Sequence, residues 1–208
     1  MQIFDIPINS KRMETTRIGT FDFPLAVHET DLKKNVLGFV NWHWHYEFQL
    51  TYVVRGTISV FFNQQTIDLH EGQGIYINPE VLHMIRDRYD SDAMFISLDV
   101  SPKLLTSFPN SVFERSYVRP VFRSPAADIV VLDPQVPWQK KILDEAISIE
   151  QDYKSRSFGW ELAVSSSLYA IWKELVCHLQ ESLAEHDAPA ADGARLRRNH
   201  RIKEILAY

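Results

Sequence analysis

The sequence predicts a mainly β protein, an antiparallel β-barrel or sandwich followed by a C-terminal α-helical hairpin. Three observations carry this. From Arg17 to about Val100 the chain reads as short strand-sized runs separated by turn residues. A proline-dotted passage (Pro102, Pro109, Pro120, Pro125) follows, and beyond it the hydrophobic period changes from two to that of a helix. Two long apolar stripes then flank Ser157, Phe158 and Gly159, a break of hairpin size.

The strand runs are "TFDFPLAVHE", "YEFQLTYVVRG", "TISVFFN", "QQTIDLH", "GIYINP" and "AMFISLDV", with breaks at Gly56, Asn63, Gly72, Gly74, Pro79 and Ser91-Asp92. Many short strands at this spacing imply an antiparallel sandwich or barrel. The stretch "NWHWHYEFQL" predicts a strand with one polar and one apolar side, because successive side chains point to opposite faces. His43, His45, Glu47, Gln49 and Thr51 share one face; Trp42, Trp44, Tyr46, Phe48, Leu50 and Tyr52 share the other, the expected core face.

Trp138, Ile142, Ala146, Ile149 and Tyr153 form one stripe of a first helix from about Pro134 to Lys154, with Asp133 as its cap. A second helix runs from about 158 to 184 on the stripe Trp160, Val164, Leu168, Ile171, Leu175 and Leu179. Tyr169, Trp172, Val176 and Leu183 widen that stripe to a second face. At 1.5 Å per residue such a helix is roughly 40 Å long, more than a small barrel covers. Part of its surface is expected to meet another subunit, giving a homodimer through those six stripe residues.

Composition bounds the function. A chain of 208 residues, 45% hydrophobic and 12% aromatic, can build one good core, so disorder of the whole chain is excluded. A net charge of −5 gives no global basic field for unaided nucleic-acid binding. The single cysteine, Cys177, falls in an apolar helical pattern and is expected in the core. It cannot form an internal disulfide, and no apolar run is long enough to cross a membrane or serve as a signal peptide, so a cytoplasmic protein is expected. The seven glycines never form a phosphate loop, and no serine or cysteine nucleophile motif occurs.

"EHDAPAADG" then reads as a linker, and "ARLRRNHRIKEILAY" crowds Arg195, Arg197, Arg198, Arg201 and Lys203 ahead of an amphipathic helix that stops without a cap. The expected division is residues 1–133 for a barrel with an N-terminal arm, 134–184 for the helical hairpin, and 185–208 for a linker and the truncated start of a further domain.

Taken together, "GFVNWHWHYEFQLTYVVRG", "LHEGQGIYINPEVLHMI", the helical pair and the linker opening into a basic helix resemble the amino-terminal half of the AraC family of bacterial transcription regulators. The matching pieces are His45, Gln49 and Gly56, then Gly72, Asn78-Pro79 and His83, and "RIKEILAY" looks like the opening of the first DNA-domain helix. The resemblance implies a cupin-like barrel that binds a small-molecule effector and dimerises, with DNA bound only through a C-terminal helix-turn-helix domain absent from this chain. No membrane partner is implied. The effector is expected to be polar, a sugar being the leading candidate, because the proposed cavity face offers His43, His45, Glu47, Gln49 and His83.

The wider cupin superfamily sets His-x-His-x-x-x-Glu and a later histidine around a metal. His43, His45 and His83 match three of those positions, and Gln49 stands where the glutamate would be. An amide oxygen still coordinates but brings no negative charge. A divalent transition metal on His43, His45, Gln49 and His83 is therefore a candidate rather than a fixed cofactor, with Glu47 one pleat away. Two readings compete with the sensor. One is a strand with an ordinary wet side. The other is a metal-dependent cupin enzyme, of isomerase or oxygenase type, acting on a sugar or small acid.

Overall fold

A computed structural model of the chain describes residues 5–185, with side chains through residue 180. The predicted linker and basic segment lie outside the described residues, as does the side chain of Leu183. Nine strands form two antiparallel sheets: β1 (Leu25–Asp31), β2 (Phe39–His43), β3 (Phe48–Arg55), β4 (Thr57–Phe62), β5 (Gln65–His70), β6 (Gly74–Ile77), β7 (His83–Asp87), β8 (Met94–Val100) and β9 (Ile129–Leu132). One sheet runs β1-β8-β3-β6-β9, the other β2-β7-β4-β5. This is the mainly β, cupin-like architecture expected, with a helical C-terminal part.

Alternation along each strand divides the apolar residues between two cores. Val53, Ile75, Ile77 and Phe95 of the first sheet meet Val40, Ile58, Val60, Leu69 and Ile85 of the second inside the barrel. The opposite face of the first sheet, with Leu25, Phe48, Leu50, Tyr52, Tyr76 and Leu98, packs on the helices. Phe48, Leu50 and Tyr52 are thus core residues turned away from the histidines, as the sequence pattern required.

The stretch 41–50 is not one strand. β2 ends at His43 and β3 begins at Phe48, in the other sheet; residues 44–47 turn the corner of the barrel. Tyr46 consequently stands exposed instead of joining the core. Trp44 is buried for a different reason. Its backbone N–H and indole N–H donate to the carbonyls of Arg12 and Lys11, so the N-terminal arm covers it.

Helices α1 (Lys103–Thr106) and α2 (Arg119–Arg123), the latter entered through a π-helical turn at Phe113–Val118, occupy the passage read as loop. Pro120 has no N–H to give, and the widened turn ahead of it ends on the Arg119 N–H donating to the Glu114 carbonyl. Helix α3 (Pro137–Ser155) starts three residues after Pro134, because Asp133 accepts the Gln135 N–H and holds a turn there. Ile142, Ala146 and Ile149 are its buried stripe.

Helix α4 (Trp160–Glu185) corrects the expected dimer surface. Val164, Leu168, Ile171 and Leu175 are at most 1% exposed inside the chain's own core, and Trp160 and Leu179 pack against that core. Val164, Leu168, Ile171 and Leu175 therefore cannot also face a partner, whereas Trp160 and Leu179 are only partly buried. The second face is covered only in part: Trp172 packs against Phe48 and Phe122 and donates its indole N–H to the Tyr117 carbonyl, while Tyr169 stays exposed. The segment 113–123 supplies the cover that sequence periodicity assigned to another subunit. Cys177 is exposed, not core, since it lies on the third side of this helix.

Candidate metal centre

Three histidines converge at one end of the barrel interior. His43 ends β2 and lies directly across from His83 at the start of β7; His45 enters from the corner. All three are buried, and their candidate ligand atoms lie within 4.8 Å of one another. Ring centroids of His43 and His83 are 4.2 Å apart, and His45 sits 5.7 and 5.4 Å from them.

The tautomers follow from the backbone. Nδ1 of His43 faces the Asn41 carbonyl at 2.8 Å, Nδ1 of His45 the Glu47 carbonyl at 2.9 Å, and Nδ1 of His83 the Val81 carbonyl at 2.9 Å. A carbonyl oxygen only accepts, so each Nδ1 carries the proton and each neutral ring turns a bare Nε2 lone pair inward. Carbonyl-oriented imidazoles of this kind are the usual support of metal-binding histidines. The Nε2 of His83 is fully buried without a hydrogen-bond partner.

Burial holds the His43 and His83 rings neutral. It pushes His43 well below the ordinary imidazole value, with the charges of His83 and His45 adding to the effect. Burial, followed by repulsion from His45, lowers His83 to about 3. Neutral imidazoles near pH 7 need lose no proton to bind a cation.

Gln49 takes the place expected of it. Its amide N–H donates to Ser97 Oγ at 2.9 Å, which turns Oε1 toward His45 Nε2 at 3.4 Å. Two acceptors thus confront each other, an arrangement a cation between them satisfies. Glu47 behaves otherwise than its place in the pattern implied. It lies in the barrel corner, half-buried, and its backbone carbonyl serves the site by holding His45 Nδ1.

Beside the histidines lies a cavity of about 30 Å³ lined by Glu14, His28, Thr30, His43, Gln49, Ser97 and Asp99, among others. His28 Nε2 and Asp99 Oδ2 are 3.3 Å apart, both side chains being over nine-tenths buried. Burial, with repulsion from His45 contributing, lowers His28 to about 4. Burial also raises Asp99 well above the carboxylate range, reinforced by Glu14 and then Glu47. The neutral forms of both groups are favoured.

His28, Ser97 and Asp99 were missed, yet a signal was present. In "FISLDV" Ser97 and Asp99 occupy every second position between apolar residues, the mark of an inward polar face, whereas His28 opens a run of four polar residues in "LAVHETD" and its signal is weaker. Glu14 carries no such signal in "RMETT".

Residues 35–171 match the family described as the AraC-like ligand binding domain. The chain is 31% identical over 208 residues to an uncharacterized HTH-type transcriptional regulator of Bacillus subtilis, YdeC, aligning with 67% of that protein. Similar solved structures include ToxT of Vibrio cholerae (10% identity, 87% of this chain and 72% of that one, TM-score 0.42). Another is the AraC-like transcriptional activator CuxR (11% identity, 74% and 58%, TM-score 0.40). Matched over most of its length by the domain and over all of it by a regulator, the chain belongs to the AraC family and carries that family's cupin-like ligand-binding domain.

Proposed function

We propose that this chain is the effector-sensing and dimerisation half of an AraC-type regulator, and that its three-histidine centre holds a divalent transition metal against which a small polar effector binds. The observation that carries the reading is the set of three buried histidines whose candidate ligand atoms lie within 4.8 Å of one another, each ring held through Nδ1 by a backbone carbonyl. A bound metal supplies Lewis-acid affinity for an oxygen of the effector; Ser97, Asp99 and His28 orient the rest of it. Preferential binding to one arrangement of barrel, arm and helices shifts the population toward that arrangement and so controls a helix-turn-helix DNA-binding domain outside this chain. Regulation rather than turnover is the role.

A cavity of about 30 Å³ suits the metal and a ligand of a few atoms. Pockets for sugar-sized ligands are on the order of 300 Å³ or more, so the sugar expected from the polar lining requires the barrel to widen. Self-association is retained with a changed surface. Exposed Phe113, Tyr117 and Tyr169 border a groove of about 290 Å³ that a second copy of the chain would cover.

The test is elemental analysis of purified protein with the wild-type sequence and with His43→Ala or His83→Ala. One metal per chain in the wild type and none in the variants supports the reading; metal-free wild type that takes up neither zinc nor cobalt refutes it. Metal-dependent turnover of small acids or sugars by the loaded protein would favour the cupin enzyme instead.

A further inference from the structure

We propose that Glu14 of the N-terminal arm is a ligand of the same metal, supplying the carboxylate that Gln49 does not. The inference rests on the three-histidine reading and goes beyond it by bringing a residue from outside the barrel strands into the centre.

The arm is built to deliver this side chain. Residues 8–14 form a miniature hairpin: the Asn9 side chain accepts the N–H groups of Lys11 and Met13 at 2.9 and 3.0 Å, and Arg12 adopts φ 61° at the turn. Asx turns of this type need no distant partner to form. The returning limb pairs with the barrel corner, where the Glu14 N–H donates to the Trp44 carbonyl at 2.9 Å and Met13 bridges Trp44 in parallel. On the outgoing limb Ile6 is buried among the barrel's interior apolar residues. Ile6 and Glu14 thereby both line the cavity.

The carboxylate this places is 5% exposed, and its Oε2 lies 3.9 Å from His43 Nε2. That distance is too long for a hydrogen bond. His43 spends its ring proton on the Asn41 carbonyl, so the nitrogen facing Glu14 is a lone pair. A carboxylate oxygen and a ring lone pair are both acceptors, and a cation between them satisfies both. Two neighbouring ligands at about 2.1 Å from one ion sit roughly 3–3.4 Å apart, within a small side-chain shift of the 3.9 Å found. Three neutral imidazoles and an amide would leave a divalent ion's charge unbalanced in a low-dielectric interior; one carboxylate halves it.

The probe is zinc alone, titrated in competition with a chromophoric chelator into the full chain and into Glu14→Gln, Glu14→Asp, Gln49→Ala and His83→Ala. Trypsin cleavage after Lys11 and Arg12 is followed in parallel. Loss of a charged ligand is expected to weaken zinc by tenfold or more in Glu14→Gln, with Glu14→Asp intermediate, and zinc should slow cleavage of the arm in the wild type but not in Glu14→Gln. If Glu14→Gln binds zinc as tightly as wild type while His83→Ala does not bind, Glu14 is no ligand although the histidine centre stands. Failure of the wild type itself to bind zinc overturns both. Equal urea midpoints of zinc-free wild type and Glu14→Gln exclude misfolding as the cause of a lost affinity.

Discussion

Replacing His83 by leucine should make the metal-free protein more stable while abolishing metal binding. His83 is fully buried, with Nδ1 on the Val81 carbonyl and Nε2 without a partner. A stranded buried nitrogen costs about 1–3 kcal/mol, and losing the hydrogen bond to Val81 returns about 1 kcal/mol of that gain. A leucine of similar size beside Phe62, its cross-strand neighbour, adds favourable apolar burial, so a net gain of about 1–2 kcal/mol is expected at pH 7. Acid enlarges the difference. With the folded value lowered to about 3 and the unfolded one near 6.5, the unfolded chain binds a proton that the folded chain refuses throughout that window. Stability of the wild type from this group is therefore complete above about pH 6.5 and falls by about 1.4 kcal/mol per unit as pH drops toward 3. At pH 5 the leucine variant should lead by about 2 kcal/mol more than at pH 7. Zinc at a hundred times its dissociation constant restores about 2.7 kcal/mol to the wild type and nothing to the variant, which reverses the order at pH 7 and narrows the lead at pH 5. Urea unfolding at both pH values, with and without zinc, reads all of this. A variant less stable than wild type without zinc at both pH values would mean that His83 is a structural residue and that the lone-pair argument is wrong.

Four further outcomes are expected. Gln49→Glu should tighten zinc by about tenfold or more and, without zinc, lower stability, because its carboxylate would lie in register with Asp99; unchanged affinity would place Oε1 away from the ion. Trp172→Ala should cost about 3–5 kcal/mol in urea unfolding, since this 4% exposed ring joins α4 to the first sheet and to segment 113–123. Gly56→Ala should cost more than about 1 kcal/mol, because φ is 75° at this turn and a Cβ would stand 2.7 Å from the Ser91 carbonyl oxygen; an unchanged urea midpoint would show that the turn relaxes. Phe113→Glu combined with Tyr169→Glu should convert a dimer to a monomer in light scattering without unfolding it, whereas Leu168→Glu should unfold the subunit, given its 1% exposure.

What the sequence by itself determined was whatever depends on local period. The helical repeat beyond Asp133 marked the two long helices, and the inward set His43, His45, Gln49 and His83 was legible from alternation and from its resemblance to known barrels. Short-range rules suffice there because a strand or helix imposes its repeat on every residue it contains. Strand β9 and the helical segment 113–123 were not legible: four residues of "IVVL" and a turn interrupted by Pro120 are too short to show a period. Tertiary structure alone decided what those segments cover, and with that it turned the apolar stripe of α4 from an expected subunit interface into internal core. It also decided that residues 44–47 bend, which divides the stretch 41–50 between two sheets, and that an arm some 30 residues upstream places Glu14 beside His43. Neither could be read locally, because each depends on a contact between segments distant in sequence, and periodicity records only which face of an element is apolar, not what lies against it.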